Sequence, residues 1–481
     1  MPARDDYLYR RIAGHYHSAI RTRQLLPGQA LPSIRAIMQA QNVSMATAVK
    51  SVHLLEAQGL VECRPRHGYF VRKPVAAPTL EPAAIAGPLS VRGDCYTGIG
   101  ERISTLVEKA RRSPIRVDLA IATPPAELFD AQGIRRLAIQ ILKEQPELLV
   151  TGRSVQRDES AFQHAVAGHA ARHGMHIPPE RILSTTGNSE AITLALSAIC
   201  TPGDWVAVES PTFYGHLQII ESLHLRALEI PCEPGTGMSL PALQLALDTH
   251  PQIKAVVVTP NMQMPTGATM PADRRRQLAQ LAATRGLAIV EDDSYGLLAM
   301  PERYVAPIQS WDERGHVIYC ESFNKPLLPG LRQGWLHGGQ WHNRIAMFKT
   351  AQSRFTQPFG QVMSSRYLLE QPRQRRHLAR LRETLRQRSE AMARLIRRSF
   401  PAGTDFVLGD ASLSLWLRLP AADPQGRLFD LALAKGIRIA PGSMFSHTQH
   451  YDQYLRLSCV QRITPEIEWA CRELGRLVAA L

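Results

Sequence analysis

The chain has 481 residues, with 56 Lys+Arg against 42 Asp+Glu, a net charge of +14, and 44% of its residues are hydrophobic. That length exceeds one ordinary domain, and the composition excludes fibrous and disordered classes. The longest apolar runs fall far short of the roughly 20 residues a membrane helix needs, and the start MPARDDYLYR has no apolar signal core, so a cytoplasmic location without a membrane partner is expected.

Residues 1–73 hold eleven Lys/Arg and four Asp/Glu, which places half the net charge on about a seventh of the chain. A dense positive field on a small module favours a polyanion partner, because neutralised phosphates release counterions. Leu8, Ile12, Tyr16 and Ile20 stand at helical spacing between Asp6 and Arg23, and Pro27-Gly28 ends that run. Ser33 caps a second helix, SIRAIMQA, and Ser44 caps a third that reaches about Gln58. Two short helices joined by a tight turn are the helix-turn-helix pattern. Two short strands follow, Gly59–Glu62 and Gly68–Val71, as the hairpin of a wing.

The stretches LLPGQALPSIRAIM, VSMATAVKSVHLLEAQGLV and RPRHGYFV resemble the GntR family of winged-helix regulators over about residues 7–72. The resemblance implies double-stranded operator DNA as partner. Arg35 is expected on a backbone phosphate with Ser33 beside it, while Ser44, Thr47 and Lys50 face the groove. Arg64 and Arg66 are expected to carry the wing to the minor groove or backbone. Met45 stands where a basic residue is common, which bears on base readout and not on backbone contacts.

Residues 74–112 read as a linker, semi-rigid through the prolines of PVAAPTLEPAAIAGP. From 113 to 481, helical stretches alternate with short apolar strands such as WVAVES, AVVVTP, LAIVEDD and HVIYCES, which predicts an α/β domain with a largely parallel sheet. A basic run between Arg366 and Arg398 reads as the solvated face of a long helix. Seven widely spaced cysteines without a CxxC pair argue against a disulfide framework or a metal site and read as reduced, buried thiols.

Only eight lysines occur, so lysine chemistry has few candidates. Ser322-Phe323-Asn324-Lys325 and Pro329-Gly330-Leu331-Arg332-Gln333-Gly334-Trp335 resemble the lysine motif of fold-type I aminotransferases. The resemblance implies a pyridoxal 5'-phosphate cofactor in Schiff-base linkage to Lys325, with Ser322 and Arg332 on its phosphate. Asp292 is expected on the pyridine nitrogen and Tyr295 on the ring hydroxyl; Asp293 is the alternative to Asp292. Thr186–Ala191 opens a helix after a strand, so the amides of Asn188 and Ser189 suit a phosphate. Phe213 is expected to stack on the ring, with Tyr214 as runner-up, and Arg456 to grip an effector carboxylate.

Two departures stand out. Met264 precedes Pro265 where these aminotransferases carry asparagine, which leaves Asn261 and Gln263 as the side chains open to replace it. Between Thr151 and Gln163 the usual tyrosine and Leu-Arg pair are missing, which implies an altered contribution from a partner subunit.

Taken whole, the chain resembles the MocR/GabR subfamily of GntR regulators. The fold class implied is an N-terminal winged helix-turn-helix domain, then an α/β aminotransferase-like large domain and a small C-terminal α+β subdomain. The function implied is regulation of transcription by a domain that senses an amino acid, an amine or the B6 vitamer. The resemblance also implies a homodimer in which the head of one chain packs over the large domain of the other. An aminotransferase with a vestigial DNA-binding head is the alternative; weak transamination is compatible with either.

Overall fold

The computed structural model describes residues 5–21, 24–64, 67–72, 98–150, 155–408, 412–423 and 426–481, and the chain divides into two compact units, Met1–Gly93 and Asp94–Leu481. The expected linker Pro74–Pro88 and Arg66 lie outside the described residues.

In the first unit α1 (Asp5–Arg21), α2 (Ile34–Gln41) and α3 (Met45–Ala57) precede a hairpin of β1 (Val61–Arg64) and β2 (Gly68–Val71). Ser33 accepts the amide of Ala36 at 3.2 Å and Ser44 that of Thr47 at 3.3 Å, so each helix begins on a side-chain cap worth about 1 kcal/mol. The turn between α2 and α3 closes on Asn42, whose φ of 50° needs a residue tolerant of left-handed backbone. Ile12, Tyr16, Ile37, Val52, Leu55 and Val61 share one core. Truncating the fully buried Ile37 to alanine costs about 2–5 kcal/mol on general grounds.

The second unit opens with α4 (Ile99–Arg112) and β3 (Val117–Asp118). The segment read as linker up to residue 112 thus contains a helix. Its Ile99 and Ile103 are buried in the core of the large sheet, and its Ala110 is buried in the core of the small subdomain. The large sheet comprises β4 (Ile182–Thr185), β5 (Trp205–Ser210), β6 (Arg226–Glu233), β7 (Gly237–Met238), β8 (Ile253–Val258), β9 (Ala288–Asp292), β10 (Val317–Ser322) and β11 (Gly334–His337). Their order is β4-β11-β10-β9-β8-β5-β6-β7, and β10, β9, β8, β5 and β6 run parallel. Both faces of these strands are buried under helices, which explains their continuous apolar runs.

A second sheet, β12 (Asp405–Phe406), β13 (Ser414–Arg418), β15 (Ala440–Pro441) and β16 (Tyr454–Ser458), forms the small subdomain, in which β14 (Ile437–Arg438) pairs with β3. The basic run lies on helix Gln371–Ser399, where Arg386 is ion-paired to Glu383 and Glu390 and Arg398 to Glu468. Cys200, Cys320, Cys459 and Cys471 are buried free thiols, but Cys63 is exposed on the short β1 hairpin and Cys232 is half-buried, so the expectation of buried cysteines holds only in part.

Candidate cofactor and DNA-contact sites

The carboxyl ends of parallel strands are where an open α/β sheet places its ligands. β9 delivers Asp292 there, and β10 delivers Ser322 with Lys325 three residues on. Asp292 is nearly fully buried, and both of its carboxylate oxygens are engaged. Oδ1 accepts Asn188 Nδ2 at 2.5 Å and the amide of Ser294 at 3.0 Å; Oδ2 lies 2.9 Å from His216 Nε2. His216 Nδ1 lies 3.2 Å from Thr212 Oγ1, which suits an imidazole that donates to the carboxylate and accepts from the hydroxyl. Burial pushes the Asp292 carboxyl up, but the hydrogen bonds and charge from His216 and Ser294 outweigh it, and the group stays below its ordinary range.

Asp293 points elsewhere. It accepts Asn261 Nδ2 at 2.7 Å and Tyr319 OH at 2.8 Å, and burial raises its carboxyl. The alternation of side chains along a strand puts the two acids on opposite sides, and only Asp292 shares the space with Asn188.

Lys325 Nζ donates to the carbonyl of Ala122 at 3.1 Å and to Thr123 Oγ1 at 2.5 Å. Burial, then the guanidinium charges of Arg456 and Arg332, lower its amine to about 8, against the opposing pull of Asp292. Near it lies a cradle. A Cβ added at Gly187 would stand 2.8 Å from Asn324 Nδ2, 3.6 Å from Arg332 Nη2 and 3.8 Å from Ser322 Oγ, and the φ of 91° at Gly187 also favours glycine. Gly187 precedes the helix Asn188–Ile199, so free amides at that helix start face the same space, with Ser189 exposed in its first turn. The buried Oδ1 atoms of Asn188 and Asn324 and Oγ1 of Thr185 have no partner among the described residues. The space left at Gly187, the Asn324 amide nitrogen, the Ser322 hydroxyl, the Arg332 guanidinium and a helix start supply the donors a phosphate ester needs, whereas the orphaned amide oxygens of Asn188 and Asn324 can only accept.

Phe213 sits edge-on to His216 with centroids 5.6 Å apart, and a Cβ on Gly215 would collide with its ring. Tyr214 instead faces Phe445. Tyr295 is buried beside Met262 and Met264, and burial, then Asp292, raises its phenol. Met264 Sδ accepts Ser414 Oγ at 3.7 Å. Neither candidate substitute for it is available: Asn261 is held between Asp293 and Arg275, and Gln263 donates to the Pro211 carbonyl at 2.6 Å while accepting from Thr266. Arg456 is buried, donates from Nη2 to the carbonyl of Ala120, lies 5.3 Å from the Phe445 ring centroid, and keeps a buried Nε that has no partner among the described residues. Of the altered segment 151–163, residues 151–154 lie outside the described residues.

Four participants were missed in the sequence. His216, one helical turn after Phe213, could have been found from its spacing. Ala120, Ala122 and Thr123 could not, because two of them act through backbone carbonyls more than 200 residues away in sequence.

On the first unit Arg35 and Lys50 are exposed, and Lys50 Nζ lies 5.9 Å from the Tyr9 ring centroid. Ser33 and Ser44 serve as helix caps. Thr47, expected to face the groove, is buried at 4% exposure with its hydroxyl 2.9 Å from that of Ser44, because its place on α3 turns it toward the core with Ala48 and Ser51. Arg64 is tied to Glu62 at 2.7 Å and lies 4.4 Å from the Phe70 ring centroid.

Residues 135–474 match the model for aminotransferase class I and II, and residues 8–71 that for bacterial regulatory proteins of the gntR family. The chain is similar to the uncharacterized HTH-type transcriptional regulator YdcR of Escherichia coli K12, 32% identical over 98% of each chain. It is also similar to aromatic-amino-acid aminotransferase 1 of Thermococcus litoralis, 30% identical over 71% of this chain and 83% of that one. Among solved structures, LysN of Thermus thermophilus, an α-aminoadipate aminotransferase complexed with N-(5'-phosphopyridoxyl)-L-leucine, superposes with a TM-score of 0.69, at 26% identity over 78% of this chain and 94% of that one.

Proposed function

The chain belongs to the GntR-type transcriptional regulators that carry an aminotransferase class I and II domain, and from that premise we propose that it binds operator DNA through its first unit and senses an amino acid, an amine or the B6 vitamer through pyridoxal phosphate held in its second. The carrying observation is the cradle at Gly187 beside Asp292 and Lys325. Ser322, Arg332, Asn324 and the amides at Asn188 and Ser189 are suited to hold the phosphate, and Asp292 to keep a proton on the pyridine nitrogen. When bound, the cofactor supplies an aldehyde that condenses with amines and a ring that withdraws electrons.

The chain's own residues prepare that chemistry. Burial lowers the Lys325 amine to about 8, so a larger share of it is unprotonated and nucleophilic than for an ordinary lysine. His216 and Asn188 fix the carboxylate of Asp292 in the ionised form. Phe213 supplies a flat apolar wall, and Arg456 a buried guanidinium whose Nε is unpartnered among the described residues, suited to a carboxylate. Sensing is favoured over turnover because Met264 offers only a thioether and Asn261 and Gln263 are committed elsewhere.

An effector that takes Lys325 and Arg456 from their present partners changes regulation only if its affinity differs between two states of the chain. We infer a two-fold dimer reading two half-sites, and a cytoplasmic location. No helix among the described residues is long and apolar enough to cross a membrane. The test is visible absorbance of the full chain, wild type beside Lys325→Ala, with a panel of amino acids and amines. A band lost in the variant and shifted by one ligand class supports the reading. Two colourless proteins after incubation with the cofactor overturn it.

A further inference from the structure

A cavity of about 690 Å³ opens between the large sheet and the small subdomain. That volume lies in the range of small-molecule sites, which favour such interfaces. Its small-subdomain wall is aromatic: Trp416 stacks on Tyr454 with centroids 5.1 Å apart and planes 14° apart, and Tyr451 meets both at 5.9 and 5.4 Å. The facing wall, from loops at the carboxyl ends of β5, β8 and β9, is Pro211, Met262, Gly267 and Met300. Val407, 68% exposed, and Leu408 extend the apolar surface to the lip. Lys325, Asp292, Arg456 and Phe213 do not line it.

The charges at its mouth are unequal in availability. Glu233 is held by Arg274 at 2.6 Å, whereas Arg418 meets Asp405 only at 3.7 Å with both side chains more than half exposed. An aromatic slot with a guanidinium at its rim suits a flat ring that carries an acid group.

We propose that this cleft is a second small-molecule site, separate from the Lys325 site, for a planar aromatic carboxylate. The ring lies between Trp416 and the methionine-lined wall, and the carboxylate meets Arg418. Thioethers adapt to such rings and contact them favourably. The site is placed to act on the first one. Met262 and Gly267 also line the small void bounded by Met264 and Tyr295, and Trp416 is the register partner of Arg456 on β16. A ligand bridging the two subdomains therefore favours one spacing of Arg456 from the large sheet.

The experiment is calorimetric titration of the full chain with indole-3-acetate, using acetate as the probe without a ring and indole as the probe without a carboxylate. Saturable binding of one indole-3-acetate per chain is expected, about tenfold tighter than either control. Trp416→Ala and Arg418→Gln should each weaken it about fivefold or more. Arg418 is exposed, so its variant keeps the test decisive where Trp416→Ala fails to fold. Lys325→Ala should leave the affinity within about twofold. Absence of saturable binding into the millimolar range, equal binding of the controls, or loss of binding in Lys325→Ala overturns the second site; the last outcome moves the probe to the Lys325 site and leaves the sensing reading intact.

Discussion

Arg456 donates its Nη2 to the backbone carbonyl of Ala120, two residues past the end of β3. Lys325 holds the same segment at Ala122 and Thr123. The two cationic side chains that an effector is proposed to claim thus both grip residues 120–123, and β3 joins that segment to α4. The far end of α4 is pinned in turn: Glu221 Oε1 accepts the amide of Gly98 and Oε2 that of Gly100, each at 2.6 Å. With its first half in the large core and its last turn tied to the small subdomain through Lys109 and Asp430, α4 is placed to register any change of spacing between them.

Glu221→Gln should therefore separate sensing from response. Losing a carboxylate that accepts two amides costs about 1–3 kcal/mol locally, while the hydrogen bonds of Glu221 go to the start of α4 and not to the Lys325 site. The expected result is an unchanged visible band with an effector-induced change in operator affinity reduced about threefold or more. An unaltered response, measured by fluorescence anisotropy on a labelled operator, would remove α4 from the route.

The lowered amine of Lys325 gives a pH dependence with a definite sign. In the folded chain the amine loses its proton near 8 and in the unfolded chain near its ordinary 10.5. Between those values the unfolded state binds more protons, so stability rises with pH across that window, and the burden of a buried charge is fully present below it. Cofactor uptake by stripped protein should accelerate with pH with a midpoint near 8. Arg456→Ala removes a charge that lowers the amine, so its midpoint should move up; Asp292→Asn removes one that raises it, so the midpoint should move down. Stopped-flow absorbance against pH reads all three, and a common midpoint would contradict the electrostatic account.

Much of the Lys325 site is legible in the sequence because its parts are local. SFNK and the glycine-rich turn after it, the acid ending β9, and Gly187 before a helix each carry their chemistry within a few residues. What escapes is what folding brings from afar. The carbonyls of Ala120 and Ala122 have no side-chain signature, and the fate of Asn261 is settled by Arg275 and Asp293, neither adjacent to it. The helix within the expected linker is legible after all, since Ile99, Ile103, Leu106 and Ala110 stand at helical spacing, but the proline-alanine run ahead of them masks it. The burial of Thr47 is not legible in the sequence, because a helix-turn-helix motif assigns faces to α3 by analogy whereas burial follows this chain's own packing.

Met264→Asn tests whether the sensor domain is detuned for turnover. Met264 is buried next to Tyr295, and its sulfur meets Ser414 at 3.7 Å. An amide there adds a donor, from which Ser414 could accept or which would be suited to the ring hydroxyl of the bound cofactor. The half-reaction with a responsive amino acid should quicken about tenfold, the equivalent of one good hydrogen bond of roughly 1.4 kcal/mol. A rate equal to wild type in single-turnover absorbance would mean that the missing donor is not what limits the reaction.

The DNA head makes its own prediction through the contrast between Arg35 and Thr47. Arg35 is exposed in the first turn of α2, where a guanidinium beside helix-start amides is suited to a phosphate, whereas Thr47 is buried with its hydroxyl 2.9 Å from that of Ser44. Arg35→Ala should weaken operator binding about equally on specific and unrelated DNA, and lower the slope of log affinity against log salt by about 1. Thr47→Val preserves shape but removes the hydroxyl that meets Ser44, so it should cost about 1 kcal/mol of head stability and leave the salt slope unchanged. Anisotropy titrations across a salt series distinguish the two: a Thr47 variant that alters the slope would return that residue to the groove, and an Arg35 variant that leaves it unaltered would take the phosphate contact away from α2.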